Sequence, residues 1–276
     1  MASTGKQRGP SGGGWAAVIL FLIVLGALVW WGYEYNFGFP AGITEQSAIT
    51  LHFWNGTWVT AFAVGGLTWA LMLYAAIAYR RKRMSGMPRQ LRYNIPIEVM
   101  YTVTPIAVVL AIFYFTARDE AVLTKVSNDQ ANTVEVTGFR WAWTFYYADH
   151  DVYDTGVPSL TDEALLPELW LPVNEKVQFQ LGSPDVIHSF WVPEFLFKLD
   201  VVPGRINTFE VTPTKEGTFA GKCAELCGVD HSRMLFNVKV VSQAEFDAHM
   251  EQLRAQGQTG DPASGRVNDD AQIVEK

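Results

Sequence analysis

Cysteine is nearly absent. Only Cys223 and Cys227 occur among 276 residues, which excludes a disulfide-dense scaffold and puts all thiol chemistry in one place. No cysteine near the N-terminus is available for a lipid anchor. Lysine and arginine are missing from Trp31 to Tyr79, a stretch that therefore offers no basic cytoplasmic flank. Positive charge is also short in the second half. Residues 121–276 carry twelve Lys/Arg against twenty-three Asp/Glu, whereas residues 1–120 carry nine against five. The acidic half argues against nucleic acid and favours a basic partner, because complementary fields speed encounter. Acidity also keeps any exported domain soluble, and that plainer reading stands beside the first.

What is present begins with three apolar runs. Phe53–Tyr79 exceeds the roughly 20 residues a bilayer requires, and Ile95–Phe115 is of spanning length with one acid, Glu98. Between them lie Arg80-Arg81-Lys82-Arg83, Arg89 and Arg92. The positive-inside rule places residues 80–94 in the cytoplasm and everything after Arg118 outside. The two runs predict a transmembrane helical hairpin over residues 45–118. Trp15–Trp31 is uncharged but short, and follows Lys6 and Arg8. Residues 1–31 therefore read as a signal peptide or an uncleaved signal anchor, with no clean small-residue cleavage site to decide between them.

From Asn132 the pattern changes to short β-type runs broken by Gly, Pro and Asn: Thr133–Thr137, Trp141–Tyr147, Lys176–Leu181, Arg205–Val211, Gly217–Lys222 and Met234–Val241. Such spacing predicts a sandwich or barrel over 119–256. Ser242 with Glu245 makes a capping-box signal for a closing helix near Gln243–Gln256. The tail 257–276, rich in Gly, Asp, Gln and Ser, reads as disordered.

The segment Cys223-Ala-Glu-Leu-Cys227-Gly-Val-Asp-His231-Ser-Arg-Met234 packs two thiols, an imidazole and a thioether into twelve residues. Soft sulfur with imidazole suits copper, and methionine is a poor zinc ligand. A second imidazole is expected from His188, upstream on another loop. Taken singly, the cysteine pair reads as a disulfide, an exported histidine as a surface residue and Met234 as core filler. Those readings do not explain the joint spacing. Two thiolates are too many for a one-copper blue site, and the count suits two copper ions bridged by both sulfurs.

These residues resemble the dinuclear CuA motif of cytochrome c oxidase subunit II, a likeness that runs over roughly residues 45–255. The resemblance implies a transmembrane α-helical hairpin followed by an all-β, cupredoxin-like Greek-key sandwich. It implies that Cys223 and Cys227 bridge both coppers, that His188 and His231 bind one each, and that Met234 and the Glu225 backbone carbonyl are weak ligands. It further implies that the Glu225 carboxylate binds magnesium or manganese where subunit I meets the chain, and that Trp141, in Gly138-Phe-Arg-Trp141-Ala-Trp143, receives electrons. Glu98-Val-Met-Tyr101-Thr102-Val-Thr-Pro105 resembles the family's Glu-x-x-Trp-Thr-x-x-Pro, with Tyr101 replacing tryptophan; Glu98 would then mark the mouth of a proton pathway. Glu98 also reads as a solvated interfacial acid, and Trp141 as one of several core aromatics. Asp200-Val-Val-Pro203-Gly204-Arg205 resembles a structural stretch beneath the copper loops.

Implied partners are oxidase subunits I and III, cytochrome c or the cytochrome c domain of a neighbouring complex, and the lipid bilayer of a bacterial plasma membrane. Asp185 and the acids near Asp149–Asp154 are expected to form a docking surface collectively, while any one of them singly reads as a plain solvated charge. Three other readings compete: a copper-delivery protein of the Sco type, a quinol-oxidase subunit lacking copper, and a domain held by a plain disulfide. The first would have a thioredoxin-like βαβ pattern and one anchor. Cys223, Cys227 and Met234 argue against the second.

Overall fold

The computed structural model describes residues 12–79, 92–127, 132–157, 159 and 165–263. The basic run 80–91, Lys6, Arg8 and the tail from 264 lie outside them. The chain forms two compact units, Met1–Phe39 with His52–Ala117, and Pro40–Leu51 with Arg118–Lys276.

In the first unit the apolar runs are helices: α1 (Gly12–Glu34), α2 (Ser47–Ala78) and α3 (Ile95–Leu123). Each is long and apolar enough to cross a membrane. Lipid offers no hydrogen-bond partner, so a spanning segment has to satisfy its backbone internally, which a helix does. Its hydroxyls follow suit. Thr60 and Thr68 donate to the Gly56 and Val64 carbonyls, and Thr102 and Thr116 to those of Glu98 and Ile112, at 2.8–2.9 Å. The sequence pairs α2 with α3 as a hairpin. Among the described residues the buried positions of these helices lie mostly on α1 and α2, while along α3 only Asp119 is buried.

The second unit is a two-sheet sandwich. One sheet has the order β3-β2-β1-β5-β8, the other β4-β10-β9-β6-β7. The first comprises β1 (Thr133–Phe139), β2 (Ala142–Tyr147), β3 (Val152–Thr155), β5 (Val177–Gly182) and β8 (Asn207–Val211). The second comprises β4 (Glu168–Pro172), β6 (His188–Val192), β7 (Phe197–Val201), β9 (Gly217–Cys223) and β10 (Leu235–Val241). Pairing is antiparallel except for β1 with β5 and β4 with β10. Strict alternation along β10 turns Phe236, Val238 and Val240 inward. Between the sheets Trp143, Phe145, Phe179, Phe190, Phe209 and Phe236 form a contiguous aromatic core in mostly edge-to-face and tilted pairs.

Helix α4 (Gln243–Ala255) starts with the expected capping box, Ser242 and Glu245 each satisfying the other's backbone N–H. It buries Phe246, Met250 and Leu253 against the sandwich.

Two boundaries differ from the sequence reading. Pro40–Leu51 belongs to the sandwich unit, because Ile43 and Glu45 exchange backbone hydrogen bonds with Glu194, Thr214 and Thr212. Residues 257–263, expected to begin a disordered tail, are held against the sandwich. Thr259 bridges Val152, and the Gln258 carbonyl accepts from Tyr153 N–H. The edge of β3 supplies those free backbone groups.

Candidate metal centre

His188 opens β6 and Cys223 closes β9, and the two strands are neighbours with Phe190 opposite Cys223. Cys227 sits in the following loop, and His231 begins a 3-10 turn, His231–Arg233, that delivers Met234 to the start of β10. Backbone bonds from Cys223 N–H to the Met234 carbonyl (3.0 Å) and from Ala224 N–H to the Ser189 carbonyl (2.9 Å) lock the loop ends together. Gly228 has φ +125, and a Cβ there would sit 3.0 Å from the Trp141 indole, so only glycine fits this close approach.

All the expected ligand atoms converge. His188 Nδ1 lies 3.9 Å from Cys223 Sγ, which lies 3.9 Å from Cys227 Sγ. Cys227 Sγ lies 3.5 Å from His231 Nδ1 and 3.8 Å from Met234 Sδ. The Glu225 carbonyl oxygen is 3.2 Å from Cys223 Sγ, while the Glu225 side chain points into solvent-exposed space. His188, Cys223, Cys227 and Met234 are buried. Both cysteines are free, with sulfurs at nearly twice the roughly 2.05 Å of a disulfide bond. Burial, then the adjacent Cys223, push the Cys227 thiol up to about 12. A cation between the sulfurs would reverse that preference and favour thiolates. Burial lowers the His188 pKa despite Asp185, so its imidazole is neutral and able to donate a lone pair.

Asp185 is not a plain solvated charge. Its carboxylate accepts from His188 Nε2 (2.9 Å), from Val186 N–H (2.6 Å), and from the backbone and Nε of Arg140 (2.8 and 3.2 Å). Burial works against its charge, but these hydrogen bonds outweigh it and bring the carboxyl down to about 2. With Nε2–H committed to Asp185, Nδ1 is left facing Cys223. The other acids expected at the surface are also engaged locally. Asp149 accepts from Thr133 N–H (2.7 Å) and Asp151 from the Tyr146 hydroxyl (2.9 Å).

Asp154 is carried up to about 7, by burial first and then by Glu168. A raised folded-state pKa means stability present below the unfolded value of about 4 and lost as pH rises through 7. Thermal unfolding should therefore show a loss on the order of a few kcal/mol between pH 5 and 8. Asp154→Asn should flatten that part of the profile and melt later than the natural chain at pH 8.

Trp141 is half-buried beside the loop, its indole N–H donating to the Cys227 carbonyl at 3.1 Å. Trp143, unassigned by sequence reasoning, is fully buried. Its N–H reaches the Met234 carbonyl (3.3 Å) and its ring meets His188 edge-on. The alternation of Trp141 and Trp143 along the chain was the available signal. For Asp185 the signal was Ser183-x-Asp185-Val186, a turn in which Ser183 and Asp185 bond local backbone. Glu98 lies far along the chain from this centre, in the first turn of α3, where its carboxylate accepts from Asn94 N–H (2.8 Å).

A family model described as the periplasmic domain of cytochrome C oxidase subunit II matches residues 132–241. A probable cytochrome c oxidase subunit 2 of Streptomyces avermitilis is 46% identical, with 81% of each chain covered. Cytochrome c oxidase subunit 2 of Mycobacterium tuberculosis is 31% identical, covering 96% of this chain and 88% of its own. Among solved structures, the periplasmic domain of subunit II of cytochrome oxidase (CoxB) of Bradyrhizobium japonicum aligns at 32% identity. It covers 48% of this chain and 99% of its own, with a TM-score of 0.44.

Proposed function

Given that the chain belongs to the cytochrome c oxidase subunit II family, we propose that it relays electrons from a cytochrome c to the haem–copper subunit I through a dinuclear copper centre. It is a membrane-bound subunit of an oxidoreductase, with its β domain outside the cytoplasm. The observation that carries the proposal is the meeting of five side chains and one carbonyl, from two separate stretches of chain, around two unbridged sulfurs. Cys223 and Cys227 would bridge the metals, His188 and His231 would hold one each, and Met234 and the Glu225 carbonyl would be the weak ligands. When bound, the pair would supply one-electron redox chemistry.

The protein's part is rigidity and access. The loop is tied at both ends by backbone bonds, and Trp143 and Phe190 pack beneath it. Ligands held in this way move little between oxidation states, which keeps reorganisation small. Trp141 is the proposed point of electron acceptance. The Glu225 carboxylate would supply an oxygen to magnesium or manganese beside subunit I, a hard-ion role consistent with its exposure. Glu98 is proposed at the mouth of a proton pathway, and oxygen reduction and pumping belong to subunit I. Subunit III, a soluble or complex-bound cytochrome c, and a bacterial plasma membrane complete the proposed setting.

Copper content and electron paramagnetic resonance of the detergent-solubilised chain test this directly. The expected result is two coppers per chain sharing one unpaired electron; one isolated copper, or none, would overturn it. Glu225→Ala should leave that signal largely intact, since only the backbone of this residue reaches the sulfurs. Asp185→Asn removes the charge that orients His188. It should weaken copper retention against a chelator by about 10- to 100-fold, the usual cost of losing a partner behind a metal-bound histidine.

A further inference from the structure

The N-terminal apolar run is more than a stretch of hydrophobicity. From Trp15 to Glu34 every residue of α1 is exposed except Val18, Phe21, Leu25, Val29 and Gly32, which with Gly14 form one stripe. The spacings of three and four residues place this stripe on a single helix face. The opposing face of α2 contains Phe62, Gly66, Ala70 and Tyr74, all buried or half-buried. The two faces interlock. Trp15 and Tyr74 bring their rings to 5.2 Å, and a Cβ on Gly66 would sit 2.4 Å from Leu25 Cδ2, so α2 carries a notch that this leucine fills.

The connection between the helices is equally specific. Asn36 accepts from the Trp54 indole N–H through its backbone carbonyl (3.0 Å) and from the Asn55 amide through its side chain (3.3 Å). Phe37 folds back over Gly32, where a Cβ would meet its ring at 2.5 Å, and stacks on Trp58 and Phe62.

A cleaved leader needs only bulk hydrophobicity to do its work. It does not need a shaped partner in the mature protein. In lipid, where apolar side chains gain nothing by avoiding the solvent, helices associate through close packing at small residues and through polar contacts. Both occur between α1 and α2. Cleavage anywhere after Glu34 and before α2 would strip the Gly66 notch of its filler; a cut beyond Asn36 would also leave Trp54 and Asn55 without their acceptors. The segment Tyr35-Asn-Phe-Gly-Phe-Pro-Ala-Gly42 that such a cut would use offers no clean pair of small residues at the required spacing.

We infer that residues 12–34 are kept in the mature protein as the first of three transmembrane helices, a permanent cover for one face of α2. With Lys6 and Arg8 on the cytoplasmic side, α1 runs outward, α2 returns to the basic segment 80–92, and α3 runs outward again to the sandwich. This topology is independent of what the metal centre does.

The intact mass of the full chain, recovered from membranes through a C-terminal tag, decides retention. The expected mass includes residues 12–34, and an N-terminus beyond Glu34 would overturn the inference. A second measurement tests the packing. Gly66→Leu should lower the unfolding midpoint of the solubilised chain, and adding Leu25→Ala should recover most of that loss. Failure of the second substitution to rescue the first would show that the notch and Leu25 do not meet. Neither measurement reads copper or oxidase activity, so the proposed electron relay stands or falls separately.

Discussion

Replacing Cys223 or Cys227 with serine should abolish the proposed shared-electron copper signal, with copper expected to fall from two per chain to one or none. Each sulfur has a distinct set of neighbours: Cys223 faces His188 and the Glu225 carbonyl, Cys227 faces His231 and Met234, and the sulfurs face each other. Removing either one breaks the sulfur–sulfur contact that joins the two halves of the ligand set. A serine hydroxyl is hard and stays protonated, so it cannot replace a soft thiolate. The fold should survive. Serine is close to cysteine in size, and a buried hydroxyl without a good partner costs about 1–3 kcal/mol, less than the stability of an ordinary domain. Unchanged far-ultraviolet circular dichroism with a modestly lower melting temperature would confirm that the lost signal reflects lost ligands. Persistence of two coppers and the shared electron in Cys223→Ser would refute the bridging arrangement.

The centre was legible in sequence because its chemistry is concentrated. Five of the six expected donors, all but His188, fall within the twelve-residue span Cys223 to Met234, whose two thiols, imidazole and thioether have few other reasons to occur together. His188 was legible because a second imidazole had to come from another loop, and the β6–β9 pairing provides it. The contact of Asp185 with His188 is not legible in sequence, for the opposite reason. An acid three residues before a histidine looks the same in sequence whether it faces solvent or an imidazole, and only the turn that brings Ser183, Val186 and Arg140 to it settles the matter. Strands β3, β4, β6 and β7 are not among the expected runs because each is only four or five residues long; burial along most of β6 also hides its alternation, whereas β7 keeps a clean one from Phe197 to Val201. The pairing of α1 with α2 was likewise invisible. Hydropathy reports that a helix is apolar, whereas the fit of Leu25 over Gly66 depends on which face each helix presents.

Trp141→Phe should lower the rate of electron acceptance from reduced cytochrome c by about an order of magnitude or more while leaving the copper spectrum nearly unchanged. The indole is half-buried, and its N–H grips the Cys227 carbonyl at 3.1 Å, so a single ring connects the surface to the backbone of a sulfur ligand. Phenylalanine keeps an aromatic body against Gly228 but gives up the hydrogen bond and part of the π-surface. Trp141→Ala removes all three, and it should shift the copper spectrum as well, since the loop then loses the wall on which Gly228 rests. The pair of variants separates two roles. If Trp141 conducts, the rate falls steeply in the phenylalanine variant with little spectral change; if it only braces the loop, rate and spectrum change together in both. Stopped-flow oxidation of reduced cytochrome c beside the absorption spectrum of each variant measures the two quantities on the same sample. A phenylalanine variant as fast as the natural chain would remove Trp141 from the electron path.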